Sequence, residues 1–339
     1  MFKKFIKISL IMLAVIVAII IIAFIYFNFP VKIPQKDFSL GVTFSHRHAQ
    51  SLGLDWKETY LAILDDLKVS DIRLPVYWDL VEKEEGIYDF SDVDWQIEEA
   101  EKRNVKIVLV VGQKVPRWPE CHIPEWAKNN DLKREEALKK MVSITVNRYK
   151  ENPAISHWQA ENEPFLKFGV CPLIDAELLD QEIAIIKNID NTRPIIVTDS
   201  GELSLWIQAA KRADIFGTTM YFDVYSEKVG HFKYPIGPNF FKFKYWLIKK
   251  FANQNDVIIA ELQGEPWLDE WVAGAPLEKQ LKAMDAERLK KNIEFAKKTG
   301  FNKAYLWGVE WWYWLKTQKD HPDVWDEARE IFTPTPISK

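Results

Sequence analysis

The chain has 339 residues, of which 47% are hydrophobic and 28% charged, and its formal net charge is −4. Such a composition is that of a globular protein, and a net negative charge argues against a nucleic-acid partner, which would need a concentrated basic face. Only two cysteines are present, Cys121 and Cys171, so the chain is not a small scaffold held together by disulfides.

Residues 1–30 are predicted to form a unit of their own. Lys3, Lys4 and Lys7 precede an uncharged run at residues 8–29, and about 20 apolar residues in a helix cross a ~30 Å hydrocarbon core. The run is longer than the hydrophobic region of a typical signal peptide, and no small-x-small cleavage site ends it. Because lysines favour a cytoplasmic N-terminus, we predict a single-pass signal anchor in the cell membrane, with the remaining chain outside the cytoplasm. The alternative is a cleaved signal peptide and a secreted protein.

Residues 38–339 are predicted to form one domain, joined to the membrane segment by a proline-containing linker at residues 31–37. Short β-branched or apolar runs alternate there with longer segments of helical periodicity, which is typical of an α/β fold with parallel strands. The predicted strands lie at 38–43, 71–76, 105–111, 155–159, 194–198, 215–220, 257–261 and 304–308. The predicted helices lie at 56–67, 93–103, 132–149, 176–189, 204–213, 240–252, 277–299 and 324–331.

Eight strand–helix pairs over about 300 residues predict a (β/α)8 TIM barrel, preceded by the single N-terminal transmembrane helix. A doubly wound sheet fits less well, because it would need a glycine-rich turn after the first strand, and residues 41–45 contain no GxGxxG motif.

Active sites of TIM barrels lie at the C-terminal ends of the strands, and two of these ends carry a glutamate. Glu163 belongs to an Asn-Glu-Pro motif after the fourth predicted strand, and Glu261 ends the seventh. Cleaving a glycosidic bond with retention needs one protonated acid and one ionised nucleophile, with the carboxyls roughly 5–5.5 Å apart. We therefore predict that Glu163 and Glu261 are catalytic, and that Asn162, beside the acid, binds a sugar 2-hydroxyl.

Other strand ends supply further candidates for substrate binding. Arg73 interrupts the apolar second strand, so its guanidinium needs an anionic partner, either a carboxylate in the barrel mouth or a structural ion pair at the rim. Tyr221, at the end of the sixth strand, could hold the nucleophile ionised. Gln113 ends the third strand. Trp118 lies in the proline-rich loop that follows, which forms either one wall of a cleft or a packed loop.

The aromatic content and the loops leave alternatives open. The 15 Trp fit either a large core or a cleft on whose flat apolar faces sugar rings stack. Cys121 and Cys171 lie in neighbouring predicted loops and could form a disulfide in an oxidising compartment, but the sequence does not give their separation. The longest irregular segment, residues 223–239, could be a lid.

His46 and His48 follow the first predicted strand and have the spacing of a metal-binding pair. The ends of the fifth and sixth strands supply no histidine that would complete such a site. We therefore predict no metal and no cofactor, and interpret the two histidines as part of a polar cleft or of loop packing.

The chain resembles the clan A glycoside hydrolases over essentially residues 38–331. In that clan, the positions of Glu163 and Glu261 are the acid/base and the nucleophile, and an aromatic residue matched by Trp307 forms a sugar platform at the end of strand eight. The stretch from residue 73 to residue 94 is similar to the second unit of cellulase-like and family 42 β-galactosidase-like members. Arg73 and Tyr221 match positions that contact the nucleophile.

The resemblance implies a retaining glycoside hydrolase that cleaves β-configured O-glycosidic bonds of an extracytoplasmic oligosaccharide or polysaccharide by double displacement. Two alternatives stay open: a transglycosylase that remodels envelope glycans, and a barrel that binds glycans without cleaving them. The sequence specifies neither the sugar, nor the linkage, nor the oligomeric state. Four further acids near strand ends also leave the choice of the catalytic pair open: Glu161, Glu202, Glu265 and Glu310.

Overall fold

The computed structural model describes residues 2–34 and 37–333. Its strands are β1 (Ser39–Thr43), β2 (Asp71–Pro75), β3 (Lys106–Val111), β4 (Ile155–Ala160), β5 (Ile195–Asp199), β6 (Ile215–Met220), β7 (Asp223–Ser226), β8 (Gly230–Lys233), β9 (Val257–Gln263) and β10 (Lys303–Trp307). Eight of them pair in parallel into a closed barrel in the order β1-β10-β9-β6-β5-β4-β3-β2, while β7 and β8 form an antiparallel hairpin.

The TIM barrel predicted from the sequence is therefore confirmed, and the predicted strands agree with the observed bounds to within two residues. The strands are apolar on both faces because helices cover the outside and side chains fill the inside. Residues 35–36 of the predicted linker and 334–339 of the predicted domain lie outside the described residues.

The helices of the described residues surround the barrel, apart from the first. They are α1 (Phe2–Asn28), α2 (His46–Ser51), α3 (Trp56–Asp65), α4 (Trp78–Val81), α5 (Ser91–Lys102), α6 (Asp131–Tyr149), α7 (Ala176–Ile189), α8 (Ile207–Ala210), α9 (Pro238–Ala252), α10 (Leu277–Ala283), α11 (Ala286–Lys298), α12 (Val309–Gln318) and α13 (Asp323–Phe332).

Two predicted helices differ from those observed. The predicted helix at 277–299 is divided into α10 and α11, because Met284 is extended and the Asp285 carboxylate accepts a hydrogen bond from the backbone of Arg288, which starts a new helix. The predicted helix at 204–213 is reduced to the single turn of α8, because Trp206 before it adopts a left-handed conformation with φ 68°.

Several elements are absent from the prediction. The segment 223–239, predicted to be irregular, contains the β7–β8 hairpin. Helix α12 follows β10 directly, and every residue from Val309 to Leu315 is buried. A helix without a solvent-facing side has no amphipathic periodicity, so its sequence does not separate it from the preceding strand.

The inside of the barrel consists of an apolar floor and a polar layer above it. Val108, Ile196, Ile258 and Tyr305 form a buried cluster toward the N-terminal ends of the strands. A Cβ atom at Gly41 would lie 2.8 Å from the Tyr305 ring, so the absence of a side chain at Gly41 leaves the space that this ring occupies. Toward the C-terminal ends, the buried positions become polar and carry Thr43, Arg73, Gln159, Thr198 and Thr219.

One helix among the described residues is long and apolar enough to cross a membrane. It covers Phe5–Asn28 within α1, with a mean hydropathy of 3.4, and none of its most apolar stretch is buried. The predicted apolar run at 8–29 is thus helical almost throughout. Its length and composition suit a membrane anchor and a signal sequence equally well.

Cys121 and Cys171 form a disulfide, with their Cα atoms 5.2 Å apart. The bond joins the loop after β3 to the loop after β4. It therefore ties together two neighbouring loops at the C-terminal end of the barrel, where the predicted catalytic residues lie.

Candidate active site

The chain leaves β4 in a strained conformation. Glu161 and Glu163 both have positive φ values, 57° and 45°, a region that costs a non-glycine residue on the order of 1–3 kcal/mol. The Glu161 carboxylate accepts hydrogen bonds from the backbone N–H groups of Gln113 (2.9 Å) and Lys114 (2.6 Å). Gly112 allows this contact, since a Cβ there would lie 2.5 Å from the Glu161 carboxyl carbon.

Glu161 is a structural acid rather than a member of the candidate catalytic pair. Its side chain faces Glu182 of α7, and burial is the main cause that raises the pKa of Glu161 to about 7 and the pKa of Glu182 well above its usual value. Two buried carboxyls near each other are unfavourable when both are charged, so the pair favours at least one protonated carboxyl.

Arg73 lies at the centre of the polar layer and is almost completely buried. Its Nε donates to Gln159 Oε1 (2.8 Å), its Nη2 to Asn162 Oδ1 (2.6 Å) and its Nη1 to Glu261 Oε1 (3.0 Å). The predicted requirement for a carboxylate partner in the barrel mouth is met by Glu261. A single guanidinium thus joins β2 to β4 and β9.

Glu261 receives a second hydrogen bond from the Tyr221 hydroxyl, which lies 2.8 Å from Oε2. Burial, together with the negative charge of Glu261, raises the pKa of Tyr221 well above its usual value, so Tyr221 remains a donor. Hydrogen bonds from a cation and from a neutral hydroxyl stabilise a carboxylate in its ionised form.

Glu163 occupies a different environment. Its backbone N–H donates to Thr198 Oγ1 (2.8 Å), and the Thr219 hydroxyl donates to its Oε1 (3.2 Å). Burial is the first cause, and the charge of Glu261 the second, that raise the pKa of Glu163 well above its usual value, although Lys114 opposes this effect. The arrangement favours a protonated Glu163 beside an ionised Glu261.

Glu120 is an acid of the site that sequence reasoning missed. Burial and the charge of Glu261 raise its pKa to about 7, while Lys114 and a hydrogen bond from the Asn162 side chain lower it. Glu120 lies in a loop, next to Cys121, and has no motif around it. The loop turns back toward β4, where the disulfide holds it. Only this path of the loop brings the Glu120 carboxyl close to Asn162.

Glu202 is a further acid near the pair. It accepts a hydrogen bond from the backbone of Tyr221 (3.0 Å). Burial chiefly raises the pKa of Glu202 to about 7, with a smaller contribution from the charge of Glu261.

Glu265 and Glu310 belong to a separate cluster around Arg117. Arg117 binds Glu265 through Nη1 and Glu310 through Nη2, the latter at 2.8 Å. Burial opposes the ionisation of Glu265, but Arg117 and His48 outweigh it and lower the pKa to about 2. Both acids are therefore engaged in ion pairs with Arg117. Arg117 is a second residue that the sequence did not single out.

Trp307 lies against this cluster. The Arg117 guanidinium stacks over its ring, 4.1 Å from the centroid, and its indole N–H donates to Glu265 Oε1 (2.8 Å). The ring of the predicted sugar platform is thus held in a fixed orientation, with one face covered by a cation and little of its surface exposed.

A row of aromatic rings leads from the candidate nucleophile to the surface. Tyr221 contacts Trp267 (5.2 Å between ring centroids), Trp267 contacts Phe168 (5.9 Å), and Phe168 contacts Trp118 (6.3 Å). Trp118 at its outer end is 67% exposed. The loops after β3, β4, β6 and β9 each contribute one ring, so the row forms a wall of the barrel mouth.

The remaining sequence candidates lie at the same end of the barrel. Gln113 is fully buried, and neither atom of its side-chain amide has a hydrogen-bond partner among the described residues. His46 packs against Trp56 and Tyr77. His48 Nε2 lies 3.4 Å from Glu265 Oε2, within the Arg117 cluster.

No protein-family model matches the chain, and no curated protein matches it in sequence. Solved structures match its fold. The β-galactosidase from Rahnella sp. R3 is 11% identical, with a TM-score of 0.59, and the match covers 90% of this chain and 57% of that chain. Xylanase 10B from Thermotoga petrophila RKU-1 is 14% identical, with a TM-score of 0.54 and coverage of 80% and 82%. Endo-glycoceramidase II from Rhodococcus sp. is 15% identical, with a TM-score of 0.53 and coverage of 80% and 73%.

These structural neighbours are clan A glycoside hydrolases, so the resemblance predicted from the sequence extends to the fold. At such low identities the similarity establishes the fold alone. The chain spans 52% of the length of the β-galactosidase from Halorubrum lacusprofundi and 57% of that from Rahnella sp. R3.

Replacing Arg73 with methionine removes the guanidinium and leaves Glu261 without its buried cation. We expect the free energy of unfolding to fall by about 3–5 kcal/mol, because one buried charge is left unpaired. Unfolding in denaturant measures the change. Arg103→Met is the matched control, since Arg103 pairs with Asp65 and Glu99 near the surface, where losing an ion pair costs about 1 kcal/mol or less per pair. Equal losses in the two variants would contradict the role assigned to Arg73.

Proposed function

We propose that the protein is a retaining β-glycoside hydrolase in which Glu163 is the acid/base and Glu261 the nucleophile. The contrast between the environments of the two carboxyls carries this proposal. Arg73 and Tyr221 donate hydrogen bonds to Glu261, whereas burial and the neighbouring charge favour the protonated form of Glu163. Paired carboxyls whose environments separate their protonation states are the requirement of this chemistry.

In the first step, a Glu261 oxygen attacks the anomeric carbon and the bond to the leaving-group oxygen breaks. The Glu163 proton passes to that oxygen, so the leaving group departs as a neutral alcohol. In the second step, the ionised Glu163 takes a proton from water, and the water oxygen displaces the Glu261 carboxylate from the anomeric carbon. Both residues return to their starting states.

Asn162 is proposed to bind the 2-hydroxyl of the sugar. Its Oδ1 accepts hydrogen bonds from Arg73 (2.6 Å) and from the Thr198 hydroxyl (3.1 Å). Both partners are donors, so the side-chain orientation is fixed and the NH2 group points elsewhere. That amide and the nearby Glu120 carboxyl provide a donor and an acceptor for the hydroxyl.

The aromatic row supports an oligosaccharide or polysaccharide substrate. Its four rings extend from Tyr221 at the nucleophile to the exposed Trp118, farther than one sugar ring needs. Stacking of successive sugar units on such rings is favourable because the C–H faces of sugars are apolar.

The disulfide and the apolar N-terminal helix support an extracytoplasmic location for the domain.

Azide distinguishes the roles of the two glutamates. With an activated aryl β-glycoside, Glu261→Ala plus azide is expected to yield the α-glycosyl azide, because azide replaces the missing nucleophile in a single displacement. Glu163→Ala plus azide is expected to yield the β-glycosyl azide, because azide attacks the covalent intermediate. Proton NMR of the products reads the anomeric configuration. The reverse pairing of products, or the same anomer from both variants, would overturn the assignment.

The pH dependence of kcat/KM tests the protonated acid. Because the pKa of Glu163 is raised and the first step needs its proton, activity is expected to fall as the pH rises through that pKa. The decrease should be absent in Glu163→Gln with a dinitrophenyl glycoside, whose leaving group needs no proton. With an alkyl glycoside, the same variant should lose about 10²- to 10⁴-fold in kcat/KM. Glu202→Gln is the control and should retain the basic limb.

Trp118→Ala tests the polymer-binding wall. Trp118 is exposed and remote from Glu261, so we expect KM for an oligosaccharide to rise several-fold while kcat/KM for an aryl monosaccharide glycoside stays unchanged. Trp271→Ala is a suitable control, because Trp271 is also exposed, at 52%, and does not belong to the aromatic row. Parallel losses on both substrates, or none on either, would contradict the proposed wall.

A further inference from the structure

The end of α1 is docked onto the barrel. The side-chain amide of Asn239, in the first turn of α9, donates to the backbone carbonyls of Tyr26 (3.1 Å) and Phe29 (3.3 Å). The amide of Asn28 donates in return to the carbonyl of Pro235 (3.1 Å). Two of these bonds reach backbone carbonyls at the C-terminal end of α1 and one runs in the opposite direction, so α1 ends in a defined contact with the start of α9.

Aromatic packing extends this contact. The Phe27 ring lies 5.4 Å from Phe240 and 5.8 Å from Phe243, measured between centroids. Backbone atoms also approach closely, since a Cβ atom at Gly237 would collide with the carbonyl of Phe27. The orientation of the barrel relative to the apolar helix is therefore set by packing and not only by the linker that follows.

The outward face of α9 carries exposed aromatic residues among its lysines. Phe243 and Trp246 are 38% and 50% exposed, whereas Phe241 and Ile248 on the opposite side are buried against the barrel. The Phe243 and Trp246 rings stack, 5.8 Å apart. Since Phe243 also contacts Phe27, the exposed patch is continuous with the apolar helix α1.

Lysines border this patch. Lys249 and Lys250 lie in the last turn of α9, and the Lys250 ammonium lies 5.2 Å above the Trp246 ring. Aromatic residues on one face of a helix with lysines beside them are the pattern of helices that lie in a membrane interface, where Trp sits at headgroup level and Lys reaches anionic headgroups.

We propose that the outward face of α9, formed by Phe243, Trp246 and the adjoining lysines, binds the anionic headgroup region of the bilayer that α1 crosses. Lipid is the occupant that the structure favours, because the patch begins where the apolar span of α1 ends. Helix α9 follows β6 and the hairpin, so it starts at the mouth of the barrel. The contact therefore holds the mouth close to the lipid surface. This inference does not depend on the proposed glycosidase activity.

Site-directed spin labelling of the full chain tests the contact. The two cysteines of the sequence are paired with each other, so an introduced cysteine is the single labelling site. Trp246→Cys reports the centre of the patch, and Lys249→Cys reports its edge with both aromatic residues kept. Lys102→Cys is the control, since Lys102 is exposed on α5, and α5 follows β2, across the barrel from β6. Each variant is reconstituted as one chain per nanodisc containing phosphatidylglycerol.

Electron paramagnetic resonance then compares the accessibility of each label to oxygen, which partitions into lipid, and to a water-soluble nickel chelate. We expect the ratio of oxygen to nickel accessibility to be several-fold higher at positions 246 and 249 than at 102. Replacing the anionic lipid with phosphatidylcholine should reduce the difference. Labels at 246 and 249 that are as accessible to nickel as the label at 102 would overturn the proposal. So would a full chain that fails to insert into the nanodisc.

Discussion

A guanidinium inside the barrel determines how the mouth is built. Arg73 is almost completely buried, and a buried cation is tolerated only when its N–H groups are paired and a counter-charge is near. The barrel supplies these partners from separate strands, with Gln159 on β4, Asn162 after it, and Glu261 on β9. The arrangement fixes the Asn162 amide and one carboxylate before any substrate arrives. Preorganisation of this kind lowers the cost of ordering the site during reaction.

The same network accounts for the strain at the end of β4. Positive φ values at Glu161 and Glu163 are unfavourable, and they persist because the surrounding residues determine them. Glu161 is held by two backbone N–H groups, while the backbone of Glu163 is held by Thr198. The Glu163 carboxyl faces Thr219, whereas the Glu161 carboxylate faces the end of β3. Adjacent acids of one motif therefore have different orientations and different environments.

The sequence predicts the barrel and the principal acids because both depend on local patterns. Strands buried on two faces are apolar runs, and the carboxylates of Glu163 and Glu261 stand where such runs end. The need of Arg73 for an anion also follows from burial alone. Glu120 and Arg117 could not be found in this way, since their positions arise from the path of one loop after β3. The division of α10 from α11 escaped prediction for a related reason: both helices have a continuous helical pattern, and only the extended Met284 interrupts it.

Two surfaces of the domain then have to be compatible. Under the proposed function, the aromatic wall that ends at Trp118 has to stay open to a polymer, while under the proposed membrane contact the aromatic patch on α9 faces lipid. Both lie near the mouth, but they arise on different elements: the wall on loops after β3, β4, β6 and β9, the patch on the outer side of one helix. A barrel held through α9 has its helices roughly in the membrane plane, because barrel helices run nearly parallel to the strands. Its mouth then opens along the membrane surface and not toward the lipid, so a glycan chain lying on that surface can reach the wall without displacing the contact.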